Sequence, residues 1–337
     1  MTPFKAFRIR QQGDRIVAGF EQLAIDDLSP GNVVVRVLYS GINYKDALAA
    51  TGAGKIVRKY PLVGGIDLAG IVETSADPRF AAGDSVLVTG NGLSETHDGG
   101  YAEVARVEGD WVFPIPKGLD EFKAMALGTA GFTAALAIHR MEVNGQSPIA
   151  GPIVVTGATG GVGSIAIDML AGRGYEVVAV SGKPAAAAYL KSLGATRILQ
   201  RKQIKAGTRP LEAVQFAGAI DSLGGDVLAW LTRTVGFWGN IASIGLAGGA
   251  QLETSVMPFI LRGINLLGIN SSATPRALRA TVWDRIATDL TPRHLDRIAR
   301  ILEFDALPGA FQAYVDGKVT GRTVVRIGHS PSKATGE

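Results

Sequence analysis

The chain reads as an α/β protein. A small β-barrel-like part formed by the first 120 or so residues is joined to a domain built on a doubly wound parallel sheet. Three observations predict this. A β-branched run, a glycine turn and an apolar helix follow one another over residues 153–170. Strand-like and helix-like segments then alternate, which means a parallel sheet with right-handed crossovers. Before residue 122, short β-branched segments are separated by turns such as Pro30-Gly31 and Gly83-Asp84.

The first of these is the most specific. Ile153, Val154 and Val155 are apolar and β-branched, as a strand buried on both faces requires. Gly157, Gly160, Gly161 and Gly163 follow, letting the backbone turn sharply and approach a ligand closely. Ile165, Ala166, Ile167, Met169 and Leu170 continue as a helix. A helix N-terminus placed there offers N–H groups and a positive field to a pyrophosphate. The spacing Gly157-Ala-Thr-Gly160-Gly-Val-Gly163 departs from G-x-G-x-x-G, but the strand before it and the helix after it supply the required context. The alternative is a glycine-rich turn that binds nothing.

The next strand says which dinucleotide. It runs through Val177–Val180 and ends at Ser181, Gly182 and Lys183. A site for the unphosphorylated cofactor carries Asp or Glu there to bind the ribose hydroxyls. A hydroxyl and a cation instead suit a 2′-phosphate, which predicts NADPH. Arg201, just past the probable third strand Arg197-Ile198-Leu199, is a second cation for that phosphate. The alternative for Lys183 is an ordinary solvated lysine.

Asn32–Tyr39, Gly70–Thr74 and Asp84–Thr89 are the strands expected in the first part. From Phe122 the texture changes to an alanine-rich helical region, Lys123–Met141, interrupted at Gly128 and Gly131. Residues 218–222 and 239–245 are two further strands of the parallel sheet. The terminal segment 272–328 carries two helical stretches and a final strand at 323–327, and is expected to return to the first domain. The domains are therefore 1–122 with 272–328, and 123–271. Residues 329–337 read as a disordered tail.

Composition narrows the chemistry. Hydrophobic content of 47% with 19% charged residues is globular. The net charge of +4 is scattered, with no basic run interleaved with aromatics, which argues against nucleic acid as a partner. No cysteine is present, which excludes disulfides, thiolate metal sites and thiol nucleophiles. The four histidines, at 97, 139, 294 and 329, have no zinc-ligand spacing, so no metal is expected. Residues 143–167 are uncharged but hold six glycines and two prolines, which argues against a membrane span. The N-terminus lacks the apolar core of a signal peptide, so a cytoplasmic location is expected.

Three further segments are candidates for chemistry. In Gly41–Asp46, Tyr44 is either a proton or hydrogen-bond donor to a reacting carbonyl or a ring packed at a strand end. Asn91–Tyr101 is either a cleft-lining loop or a solvated one. In Gly128–Thr133, Thr129 is either a nicotinamide contact or a helix cap.

Together these segments resemble the zinc-free branch of the medium-chain dehydrogenase/reductase superfamily, and within it the acrylyl-CoA reductases, also labelled quinone oxidoreductases of the YhdH/YhfP type. The resemblance is carried by Asn43–Leu48, Gly65–Gly70, Gly99–Glu103, Gly128–Ala134, Val155–Ser164, Val180–Lys183, Tyr189–Ala195, Gly245–Gly249, Met257–Gly263 and Gly321–Thr323, in order along nearly the whole chain. It implies a chaperonin-10-like barrel domain, a Rossmann domain and an active site in the cleft between them. It implies NADPH held by Tyr44, Thr159, Gly160, Gly161, Val162, Ser181, Gly182, Lys183, Arg201, Leu246, Ser271 and Arg322. Lys183 stands where relatives often carry Arg, and lysine cannot make a bidentate phosphate contact. It also implies a homodimer paired through the edge of the Rossmann sheet. The activity it implies is NADPH-dependent reduction of an activated C=C bond, with acrylyl-CoA the first candidate. A quinone reductase and a non-catalytic NADPH-binding protein are the alternatives.

Overall fold

The computed structural model describes residues 3–204, 207 and 209–328. The tail at 329–337, expected to be disordered, lies outside them. The described residues form two compact units, one of residues 3–129 and 299–328, the other drawn from residues 130–298.

The first unit is built on antiparallel pairing. The strand Val33–Ile42 is its spine, with Val33, Val35 and Val37 fully buried at alternate positions. One side of this strand pairs with Asp67–Ser75. The other pairs with Val104–Val107 along its first half and with Arg322–Arg326 along its second. Ser85–Thr89 and Phe113–Pro114 extend the sheet beyond Asp67–Ser75, and Ala299–Glu303 extends it beyond Arg322–Arg326. A three-stranded sheet, ordered Arg15–Leu23, Phe4–Gln12, Leu62–Val63, covers a second core of Phe4, Phe7, Leu23 and Ile42. Several elements were not expected, among them the strands Phe4–Gln12, Arg15–Leu23 and Val104–Val107. Nor were the helix Tyr44–Thr51 and the strand Ala299–Glu303.

The second unit is a six-stranded parallel sheet. Its order is Arg197–Gln200, Val177–Ser181, Ile153–Val155, Phe216–Asp221, Val235–Ser243, Asn265–Gly268. Chain order therefore reverses direction between Ile153–Val155 and Phe216–Asp221. Such a switch point opens a crevice at the carboxyl ends of the strands, where ligands of these folds bind.

The segment 272–298 packs with this second unit, not the first as the sequence reading places it. The helix Arg276–Ala287 buries Val282, Trp283 and Ile286. Its Trp283 ring lies 5.8 Å from that of Phe132, and the Arg279 guanidinium sits 4.7 Å over the same ring. Arg285 pairs with Glu142 at 2.6 Å. The buried Asp168 carboxylate accepts from the Arg293 and His294 amides at 2.8 Å each. Only the part after residue 298 returns to the first unit.

The helix Glu121–Val143 breaks at Gly128, whose φ of 50° and ψ of −151° are non-helical, while Gly131 causes no break. Among the described residues, no helix is long and apolar enough to cross a membrane.

Candidate active site

In the second unit the glycine turn is built as the fingerprint demands. Gly157 has φ +58°, a left-handed conformation that glycine adopts without steric cost. A Cβ on Gly163 would overlap the Gly157 carbonyl oxygen and come within 2.8 Å of the Ala158 Cα. The helix Gly161–Gly172 can therefore lie against the turn only with glycine at 163. Gly160 is its N-cap, with no side-chain cap hydrogen bond to the first turn. Thr159 is buried just ahead of it.

The charge pattern beside the turn favours a phosphate. Ser181 and Gln200 are register partners at the ends of adjacent parallel strands. Lys183 and Arg201 thus follow the ends of neighbouring strands, and no carboxylate stands at 181–183. The Ser181 hydroxyl, buried, accepts the Lys183 backbone N–H at 3.0 Å and so shapes the turn that carries Lys183. Burial holds the Lys183 ammonium below the ordinary lysine pKa. Arg201 lies along the loop after Val235–Ser243, where a Cβ on Gly248 would come within 3.0 Å of its Nη2. Leu246, on the same loop, is exposed. Ser271 holds Arg279 through its carbonyl oxygen at 2.9 Å.

At the switch point, Thr156 donates to Asp221 at 2.5 Å and accepts from the Ser222 amide at 3.0 Å. Burial raises the Asp221 pKa. The Ser222 hydroxyl is buried here without a hydrogen-bond partner. A buried hydroxyl left unpaired is costly. Sequence reading missed it. The available signal was a hydroxyl residue following the strand next to the glycine turn.

In the first unit, Tyr44 is the first residue of the helix Tyr44–Thr51, two residues past the end of the strand Val33–Ile42, and is 44% exposed. Asn43 caps this helix in a capping box with Asp46. Behind the cap lies a buried network. Asp67 accepts from Asn43 Nδ2 at 2.8 Å and from the Thr129 hydroxyl and amide. Arg322, only 2% exposed, stands 3.6 Å from Asp67. It donates to Asn43 Oδ1 at 2.8 Å and to the carbonyls of Ile42, Met125 and Ala126. Gly128 permits this, because a Cβ there would lie 2.6 Å from Asp67 and 2.7 Å from Arg322. Thr129 and Arg322 are thus committed to a protein network, and the spacing of Asn43, Asp67 and Arg322 gave no hint of it. Among the described residues no cluster of three His, Asp or Glu side chains could hold a metal ion.

Comparison with known proteins shows the family. A family model described as "Alcohol dehydrogenase GroES-like domain" matches residues 29–117, and one described as "Zinc-binding dehydrogenase" matches residues 161–288. The chain is 48% identical over 323 residues to the "Probable acrylyl-CoA reductase AcuI" of Escherichia coli, covering 96% of this chain and 99% of that one. It is 46% identical over 328 residues to the "Putative quinone oxidoreductase YhfP" of Bacillus subtilis, covering 97% and 99%. Among solved structures, the yhdH oxidoreductase of Salmonella enterica in complex with NADP superposes with a TM-score of 0.94 at 47% identity, covering 96% of this chain and all of that one. B. subtilis yhfP with NAD bound superposes with a TM-score of 0.94 at 46% identity, covering 97% and 100%.

Proposed function

Because the chain belongs to the medium-chain dehydrogenase/reductase superfamily, in the zinc-free branch of acrylyl-CoA reductases and YhdH/YhfP-type quinone oxidoreductases, we propose that it is an NADPH-dependent reductase of an activated C=C bond, acting on acrylyl-CoA to give propionyl-CoA. The observation that carries the cofactor assignment is the pair Lys183 and Arg201 beyond neighbouring strand ends, with Ser181 in place of a carboxylate. When bound, NADPH supplies a hydride from C4 of its nicotinamide to the β-carbon of the substrate.

The chain's own residues do the rest. The uncapped helix start at Gly160, Gly161 and Val162, preceded by Thr159, holds the pyrophosphate through backbone N–H groups. Lys183 and Arg201 neutralise the 2′-phosphate, and Gly182 lets the turn pass close to it. Ser222 offers its unpaired hydroxyl to the bound dinucleotide, and Leu246 and Ser271 belong to the neighbouring loops. Tyr44 donates a hydrogen bond to the thioester oxygen as enolate charge develops there, and is the first candidate to deliver the proton to the α-carbon. Arg322 and Thr129 act through the Asp67 network that fixes Asn43 and the Tyr44 turn.

A quinone is the second reading, because one relative at 46% identity is named for that activity. NADPH oxidation measured with acrylyl-CoA, crotonyl-CoA and a benzoquinone side by side separates the two. The proposal expects the highest kcat/KM with acrylyl-CoA. A preference for the benzoquinone overturns it. Binding of NADPH with no turnover of any of the three points to a non-catalytic protein.

We further propose that the protein is a homodimer. Among the described residues, Asn265–Gly268 is an edge strand, paired with Val235–Ser243 alone. Beside it, Phe237, Trp238, Val256, Ile260 and Leu261 are exposed, an apolar group that fits a second copy of the same edge.

A further inference from the structure

Asp46 is a buried carboxylate that the reaction as described does not use. It sits at the third position of the helix that begins with Tyr44. Its Oδ2 accepts from the Asn43 amide at 2.8 Å and from Asn43 Nδ2 at 3.2 Å, and its Oδ1 accepts from the Ile66 amide at 2.9 Å. Asn43 Nδ2 also donates to Asp67 Oδ2 at 2.8 Å. One amide nitrogen therefore gathers the Oδ2 atoms of two buried carboxylates, and the one guanidinium bonded to this network, that of Arg322, leans on Asp67 and Asn43. Like charges this close cannot both ionise freely.

We propose that Asp46 is the positioning residue for Tyr44 and gates it by protonation: ionised, it locks the Asn43–Tyr44 turn, and protonated, it releases it. The inference rests on the reading of Tyr44 as the residue that meets the substrate. The chemistry is local. Oδ2 already faces two N–H donors and Oδ1 one, so a proton taken up on Oδ2 meets a donor on each side. Oδ2 is where the repulsion from Asp67 is greatest. A proton there displaces at least one of the bonds from Asn43 and loosens the capping box of the helix that Tyr44 begins, while Asn43 stays held by Asp67 and Arg322.

The surroundings place this exchange near neutrality. Burial first, and Asp67 second, push the Asp46 carboxyl up to about 7, against the pull of the Asn43 and Ile66 donors. The other groups facing it are Tyr101 and Tyr314, both raised above the ordinary tyrosine range by burial, and Arg322. Tyr101 donates to the Gly41 carbonyl at 3.0 Å and is held neutral, so it does not compete for the proton.

The test is the NMR spectrum of the full chain labelled with ring-13C tyrosine, with the Tyr44 signal assigned as the one lost in Tyr44→Phe. Titrated between about pH 5.5 and 8.5, the Tyr44 signal is expected to move with a midpoint about 7 in the wild type and to stay fixed in Asp46→Asn. With acrylyl-CoA and NADPH, Asp46→Asn should lower kcat roughly ten- to a hundredfold and remove the acidic limb of the kcat profile. A Tyr44 signal that does not move in the wild type overturns the proposal without any variant needing to fold. So does one that titrates identically in Asp46→Asn, or an acidic limb that the variant retains. A Tyr44 signal that moves only in the wild type, in a protein that does not turn over enoyl-CoA, supports the gate and overturns only the assigned reaction.

Discussion

Lys183 and Tyr44 carry the two halves of the functional reading, and each makes a separable prediction. A charge-assisted hydrogen bond is worth about 1.5–3 kcal/mol, so Lys183→Ala should weaken NADPH roughly ten- to a hundredfold. NADH, which lacks the 2′-phosphate, should bind nearly as before. Equal losses for both, measured by fluorescence titration, would remove Lys183 from the phosphate. Tyr44→Phe keeps the exposed ring and deletes only the hydroxyl. Loss of such a donor lowers rate by about 10²–10⁴-fold, so kcat should fall with little change in melting temperature. Near-full kcat would make Tyr44 a packing residue and leave protonation to solvent. Both residues were legible in the sequence, because a strand end and a polar strand exit are local features. Asp67 and Arg322 were not legible as partners. Their meaning depends on a contact made across most of the chain, and Asp67 sits in an apolar strand with nothing around it to mark a charge.

At the scale of the element, the strand–turn–helix over 153–172 shows how steric necessity becomes a binding device. Gly163→Ala would drive a methyl group onto the Gly157 carbonyl and the Ala158 Cα. Overpacking of this kind costs about 1–3 kcal/mol, and relief requires moving the turn that meets the pyrophosphate. NADPH affinity should therefore fall together with the melting temperature, whereas Lys183→Ala should change affinity alone. An unchanged melting temperature in Gly163→Ala would contradict the packing role. This element could be read from sequence because glycine, β-branching and helix periodicity all lie within one window. The helix Tyr44–Thr51 is only eight residues long, and its local signal is the Asn43-x-x-Asp46 capping box at the exit of a strand. The strand Ala299–Glu303 gave less to find, since its burial pattern is largely exposed and shows no clean alternation.

The whole molecule is organised as two units, and the sequence reading puts the first junction at 122, seven residues before the division at 129. The second junction was placed too early. The helix Arg276–Ala287 is nearly as polar as it is apolar, and only its contacts through Trp283 and Arg285 assign it to the nucleotide-binding unit. At this scale the edge strand and its exposed apolar neighbours predict assembly. Replacing Ile260 and Leu261 by Glu should convert a dimer to a monomer in light scattering, with NADPH binding retained. A wild-type monomer at micromolar concentration would contradict the edge as an interface.

The central claim is that this fold delivers a hydride to carbon. It is tested most directly by turning over acrylyl-CoA with NADPH deuterated at the transferring position of nicotinamide C4 and analysing the acyl product by mass spectrometry and NMR. The account predicts propionyl-CoA carrying one deuterium at the β-carbon and a solvent-derived proton at the α-carbon. Deuterium at the α-carbon, or acrylyl-CoA left intact while a benzoquinone is reduced, would contradict it.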